Sequence, residues 1–166
     1  MGFGKGRFLL ERARANPEVN FLGIERLRGR VLRVGKRAER AGTDNIRVLR
    51  IEGNYAVKYL IPHGSIRTCY IFFPDPWPKK KHHFHRIMHP GLIDNLLNIM
   101  EPDGVIHFAT DHLPYFYDAV RMLEADERII PVAPFEPADE ERTDFELMFI
   151  GKKPIGRYSF TQREET

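Results

Sequence analysis

Apolar positions run along this chain in two alternating rhythms. After the glycine-rich opening Gly2-Phe3-Gly4-Lys5-Gly6, the stretch from Arg7 carries Phe8, Leu9, Leu10 and Ala13 among charged residues and predicts a helix to about Ala15, stopped by Asn16-Pro17. Asn20-Phe21-Leu22-Gly23-Ile24-Glu25 is a short apolar run ending in an acid, the pattern of a buried parallel strand. Leu27, Val31, Leu32 and Ala38 return at helical spacing among arginines, with Ala41-Gly42 as the stop. The alternation continues with a strand at Ile46–Ile51, a short helix at Tyr55–Leu60 and a strongly apolar strand at Thr68–Phe73. Past a proline-rich loop come a helix at Pro90–Met100, a turn at Glu101-Pro102-Asp103-Gly104, and a strand at Val105–Ala109. A helix at Pro114–Glu124 and two last strands, Arg128–Val132 and Glu146–Ile150, complete the reading.

Strands separated by helices imply right-handed crossovers and an α/β fold: an open, mostly parallel sheet with helices on both faces, Rossmann-like in plan. In such sheets ligands bind at the carboxyl ends of the strands. Glu25, Asn54, Asp75 and Asp111 each fall just after an expected strand and so should line one edge. One domain is expected over residues 1–151, followed by a polar, partly mobile tail from Lys152 to Thr166.

Composition changes this picture little. A chain of 166 residues, 42% hydrophobic, has the size of one ordinary domain with a single core. The net charge of +3 permits a polyanionic partner without demanding one. The single cysteine, Cys69, lies inside the apolar run to Phe73 and reads as a small core residue. No stretch approaches the roughly 20 apolar residues of a spanning helix, and no segment reads as a secretory leader, so no membrane partner and a reducing cytoplasm are the expectations.

The first candidate chemistry is the glycine loop. Gly2, Gly4 and Gly6 let backbone approach a ligand closely, although a tight turn before a helix accounts for them equally well. Glu25, about 20 residues on, is placed to accept hydrogen bonds from the hydroxyls of an adenosine ribose, against the plainer reading of a solvated acid at a strand end. Both NAD and S-adenosylmethionine present such a ribose. The spacing G-x-G-x-G departs from the dinucleotide pattern G-x-G-x-x-G, which favours S-adenosyl-L-methionine, a cofactor with no pyrophosphate to seat. Asn54 could hold an adenine edge through its amide, or simply shape the turn Glu52-Gly53-Asn54.

The most specific segment is Phe72-Phe73-Pro74-Asp75-Pro76-Trp77-Pro78-Lys79-Lys80-Lys81-His82-His83. Prolines on both sides of Asp75 stiffen the backbone, so the carboxylate is aimed rather than free to wander. Trp77 offers a flat face for a base. Lys79, Lys80, Lys81, His82, His83, His85 and Arg86 form a cationic patch suited to phosphates. A core tryptophan beside a solvated charge run is the plainer alternative. No cysteine or acid pattern completes a zinc set around these histidines, and no metal is expected.

Taken in order, Gly2-Phe3-Gly4-Lys5-Gly6, Gly23-Ile24-Glu25, Phe73-Pro74-Asp75-Pro76-Trp77-Pro78-Lys79-Lys80, His107-Phe108-Ala109-Thr110-Asp111 and Thr143-Asp144-Phe145-Glu146 resemble the signatures of the bacterial tRNA (guanine-N7)-methyltransferase family, across nearly the whole chain. The resemblance implies a class I S-adenosylmethionine-dependent methyltransferase fold and methyl transfer to a guanine in the variable loop of tRNA. It implies that Gly2, Gly4, Gly6, Glu25, Asn54 and Asp75 contact cofactor and that Asp75 is also the catalytic residue. Lys79, Asp111, Thr143, Asp144, Phe145 and Glu146 would contact substrate, with Lys80, Lys81, His82, His83 and Arg86 on the RNA. Family members carry an acidic residue and further strand residues before the glycine loop. Here Met1 stands in their place, so the first strand of the sheet is expected to be truncated. A non-catalytic RNA-binding protein that keeps the fold is the alternative, and the oligomeric state is expected to be monomer or homodimer.

Overall fold

Local signals place most elements where the pattern puts them. The computed structural model describes residues 1–163 and contains six helices, six strands and two short 3-10 turns. The chain divides into two units, Met1–Gly53 with Glu136–Lys152, and Asn54–Phe135 with the chain from Lys153 onward.

In the first unit, helix α1 (Arg7–Ala15) is followed by strand β1 (Phe21–Glu25), helix α2 (Arg28–Arg40) and strand β2 (Ile46–Arg50). β1 and β2 pair in parallel, Phe21 opposite Ile46 through to Glu25 opposite Arg50. Leu9, Leu10 and Ala13 of α1, Val34 and Ala38 of α2, and Ile46 form the core, with Phe3, Phe21 and Val48 packed against it. Gly23 has a packing reason: a Cβ there would meet Leu9 at 2.5 Å and the Phe3 ring at 2.9 Å. The unit is completed by helix α6 (Asp144–Phe149) and a 3-10 turn at Asp139–Glu141. Arg12 of α1 grips the buried Glu141 through both carboxylate oxygens, at 3.1 and 3.2 Å.

The second unit holds helix α3 (Gly53–Tyr59, from its second residue), strand β3 (Ile66–Phe72), helix α4 (Pro90–Ile99), strand β4 (Met100–Thr110), helix α5 (Leu113–Glu124), strand β5 (Ile129–Val132) and strand β6 (Gly156–Gln162). Its sheet has the order β3-β4-β6-β5. β3 and β4 are parallel, while β6 runs antiparallel to both of its neighbours. His89 and His112 cap α4 and α5 by accepting from Leu92 and Tyr115 backbone amides, each with proline in the first turn. Cys69 is buried as expected, and burial pushes its thiol pKa up.

Three expectations need correcting. The segment expected as a strand over Glu146–Ile150 is helix α6. Thr143 accepts at 3.0 Å from the Glu146 amide, and Glu146 accepts at 2.9 Å from the Thr143 amide. That reciprocal capping box satisfies donors a helix start would otherwise leave unpaired. The segment expected as a mobile tail contains β6, whose Phe160 and Ser159 are buried between β4 and β5. Only the last three residues of that expected tail, 164–166, lie outside the described residues. The expected turn at Glu101–Gly104 is an irregularity within β4: Met100 lies opposite Ile66 and Val105 opposite Thr68, so the extra residues are absorbed as a bulge.

Candidate functional site

In the first unit the glycine loop and the end of β1 are tied together. Gly2, Gly4 and Gly6 have φ of 70, 58 and 82°, the left-handed region that a side chain disfavours. The Gly2 amide donates to the Ile24 carbonyl at 2.8 Å, and the Gly4 amide donates to Glu25 Oε2 at 3.1 Å. A Cβ on Gly2 or Gly4 would meet nothing within 4 Å, so these two positions face open space. Gly6 differs, since a Cβ there would run into the Val34 side chain.

Glu25 sits at the end of β1, as its position in sequence implied, and is buried. Its Oε1 accepts from the Arg26 and Leu27 amides at 2.8 and 3.0 Å, and its Oε2 accepts from Gly4 and from Arg30 Nη1 at 3.3 Å. Burial by itself raises the carboxyl pKa. The donors from Leu27, Gly4, Arg30 and Arg26 outweigh it and hold Glu25 below the ordinary carboxylate range, charged and fixed in one orientation. Of the four partners, only Arg30 is an exposed side chain able to withdraw. Thr143, Asp144 and Phe145 of the same unit are half-buried at the start of α6. Glu146 is fully buried in its capping role, so the expectation that its side chain meets substrate is corrected to a helix-setting function.

In the second unit, Asn54 is half-buried in the first turn of α3 rather than in a turn after a strand. The loop after β3 holds both non-glycine residues with positive φ among the described residues. Phe73 and Trp77 both have positive φ, 50 and 43°, and they bracket Pro74-Asp75-Pro76. Bulky residues adopt this conformation only where their surroundings impose it, at roughly 1–3 kcal/mol each. Phe73 is held by its amide, which donates to the Ala109 carbonyl at 2.8 Å. On the far side Arg86 Nε donates to the Pro76 carbonyl at 2.9 Å, while its Nη1 pairs with Asp118 of α5 at 2.9 Å. The Arg86 guanidinium also lies over the Tyr115 ring, 4.6 Å from its centroid. The Tyr115 hydroxyl, pushed up to about 12 chiefly by burial, accepts from the Met88 amide at 3.0 Å.

Arg86 was expected on the RNA. It is only 7% exposed, and the structure makes it a brace beneath the Asp75 loop. Asp75 itself is exposed, as are Lys79, Lys80 and Lys81. His82 and His83 are half-buried in the 3-10 turn Lys80–His85. Asp111, just past β4, accepts from Lys153 Nζ at 3.1 Å. Lys153, on the approach to β6, is a partner that sequence reasoning passed over when it took the segment for a tail. Ser159 of β6 adds a buried polar contact, with Oγ 2.7 Å from His107 Nδ1 and accepting from the Phe135 amide at 3.1 Å.

Among the described residues no group of three or more histidines, cysteines or acids is arranged to hold a metal, and no helix is long and apolar enough to cross a membrane.

Comparison with known proteins bears on the fold and the family. Among solved structures, the chain resembles the 16S rRNA methyltransferase KamB with a TM-score of 0.73 at 13% identity, covering 99% of this chain and 86% of that one. A SAM-dependent methyltransferase from Aquifex aeolicus gives 0.64 at 14% identity over 97% and 78%. These likenesses establish the Rossmann-like methyltransferase fold. Curated relatives are closer in sequence. A tRNA (guanine-N(7)-)-methyltransferase of Halorhodospira halophila is 44% identical over 77% of this chain and 55% of its own length. One from Idiomarina loihiensis is 36% identical over 92% and 64%, and one from Thermotoga maritima 34% over 78% and 42%. The chain thus spans roughly half the length of several curated relatives it matches. A family model described as "Putative methyltransferase" matches residues 1–145, and the chain belongs to that methyltransferase family.

Proposed function

We propose that this chain carries the catalytic fold of an S-adenosyl-L-methionine-dependent tRNA (guanine-N7)-methyltransferase, with Asp75 orienting the target guanine. The observation that carries the reading is the Asp75 loop: an exposed carboxylate between two prolines, bracketed by left-handed Phe73 and Trp77, braced by Arg86 and followed by three exposed lysines. The names of the curated relatives support the same reading.

The residues of the first unit fit the cofactor. Gly2 and Gly4 leave open space where side chains would stand, and Glu25 is a fixed carboxylate that can take ribose hydroxyls once Arg30 withdraws. When bound, S-adenosylmethionine supplies an electrophilic methyl group. Guanine N7 has an in-plane lone pair and no proton to lose, so strong base catalysis is not required. Orientation can supply about 7–11 kcal/mol, more than a general base contributes. The Asp75 carboxylate is suited to accept from the guanine N–H groups, leaving N7 on the opposite edge free and offsetting the positive charge that develops on the ring. Lys79 to Lys81 neutralise phosphates; Asp111 in the second unit, and separately Thr143 to Phe145 in the first, are assigned substrate contacts. tRNA is the partner and the cytoplasm the compartment this reading assigns.

The test is incubation of the chain with labelled S-adenosylmethionine and unmodified tRNA, followed by mapping of any methyl group. Label at a guanine N7 in the variable loop, lost in Asp75→Asn, is the expected result. Asp75→Asn turning over like the parent removes the assigned role, and tRNA binding without transfer overturns the enzymatic reading.

A further inference from the structure

We propose that Phe84 is the base-stacking platform of the RNA interface, seating an unpaired nucleobase of the bound strand; this rests on the RNA-directed reading above. Trp77 is the aromatic residue the sequence offers first, but the imidazoles of His85 and His82 pack against it, with ring centroids 4.7 and 5.9 Å away, and it is 38% exposed. Phe84 stands outermost in this cluster. Its ring lies 3.9 Å from that of His85 and is 76% exposed, the most exposed of the large apolar side chains among the described residues.

A single exposed apolar residue is ordinary on a protein surface. Phe84 differs in its setting. The His85 ring lies against it, and His85 in turn packs on Trp77, so the three rings form one aromatic step. The exposed Lys79, Lys80 and Lys81 precede it within the same loop and turn, supplying the positive charge a phosphate backbone requires. Aromatic face and phosphate clamp together are what a single-stranded nucleic acid recognises, because its bases are free to leave their own stack. A continuous duplex buries those faces and could use only the lysines.

The test is equilibrium binding of the whole chain and its Phe84→Ala, Phe84→Leu and Phe84→Tyr variants to an unmodified tRNA transcript and to a continuous RNA duplex, each over a range of salt. Thermal melts check that all four are equally folded, as expected for so exposed a position. Stacking on one base implies that Phe84→Ala and Phe84→Leu weaken tRNA binding about 5- to 100-fold, with the salt slope unchanged and duplex binding unaffected. Phe84→Tyr should keep the parent affinity. Phe84→Ala binding tRNA like the parent overturns the proposal, as does Phe84→Leu doing so, since an apolar contact without a π-face would then suffice. If the parent binds no tRNA, the RNA-directed reading itself fails. If the parent binds and methylates tRNA while Phe84 variants match it, only the platform fails.

Discussion

Arg86 donates from Nε to the carbonyl oxygen of Pro76 at 2.9 Å, so a buried guanidinium holds the residue immediately after Asp75. The same side chain reaches Asp118 through Nη1. Replacing it with lysine keeps the charge and loses the planar fork that makes both contacts at once. Arg86→Lys and Arg86→Ala are expected to cost about 2–3 kcal/mol in urea unfolding. Methyl transfer should fall further than stability explains, under conditions where the variants remain folded. Unchanged turnover in Arg86→Ala would show that the loop keeps its shape unaided.

Glu25 links acidity to stability. Its folded pKa is depressed, so its contribution is fully present above the ordinary carboxylate value and is lost as pH falls through the lower folded value. Amide exchange at Gly4, Arg26 and Leu27, whose N–H groups it accepts, should accelerate as pH is lowered from neutral to about 3, after correction for intrinsic rates. In Glu25→Gln the same amides should already be less protected at neutral pH and show little further dependence.

Gly6 is required twice over, by its φ of 82° and by the Val34 side chain that any Cβ would meet. Gly6→Ala is expected to destabilise by about 1–3 kcal/mol. Shrinking the obstacle in Gly6→Ala/Val34→Ala should not restore the parent, because the backbone strain remains and Val34 is a core residue. Gly2→Ala, strained but unobstructed, should cost less. Thermal melts of the three variants rank them.

Thr143 and Glu146 set the start of a short helix, and each satisfies the other's amide. Thr143→Ala should cost about 1 kcal/mol and Thr143→Ser much less, measured by urea unfolding. Equal losses in the two would assign the effect to the methyl group rather than to the cap.

On the proposed reading, Lys79, Lys80 and Lys81 raise RNA affinity by neutralising phosphates. Each replacement with alanine should lower the salt slope of tRNA binding by about 1 and weaken binding to different tRNAs alike. A slope unchanged after all three substitutions would separate the patch from the RNA.

The parts legible in the sequence were those written in local chemistry. α1 begins after its glycine and ends before its proline, β1 ends in Glu25, and the proline-flanked Asp75 announces a stiff loop. Two misreadings came from weighing polarity over pattern. Leu147-Met148-Phe149-Ile150 looks like a buried strand only if Thr143-x-x-Glu146, a readable helix-start signal, is passed over. Gly156 to Gln162 looks like a tail because it is polar, although Tyr158, Phe160 and Thr161 carry β propensity. Arg86 was misplaced for another reason: within a run of cations nothing in the sequence tells which one turns inward, and only Pro76 and Asp118 decide it.

Because β5 pairs with β6 and β6 with β4, the middle of the second unit's sheet is filled by residues synthesised after nearly everything they touch. On the ribosome, β3 and β4 can zip together early, whereas β5 must wait with its polar edge unmatched until residues 156–162 leave the exit tunnel. A nascent chain halted before Gly156 would leave β4 and β5 without the strand that joins them, its sheet edges open to other chains and to proteases.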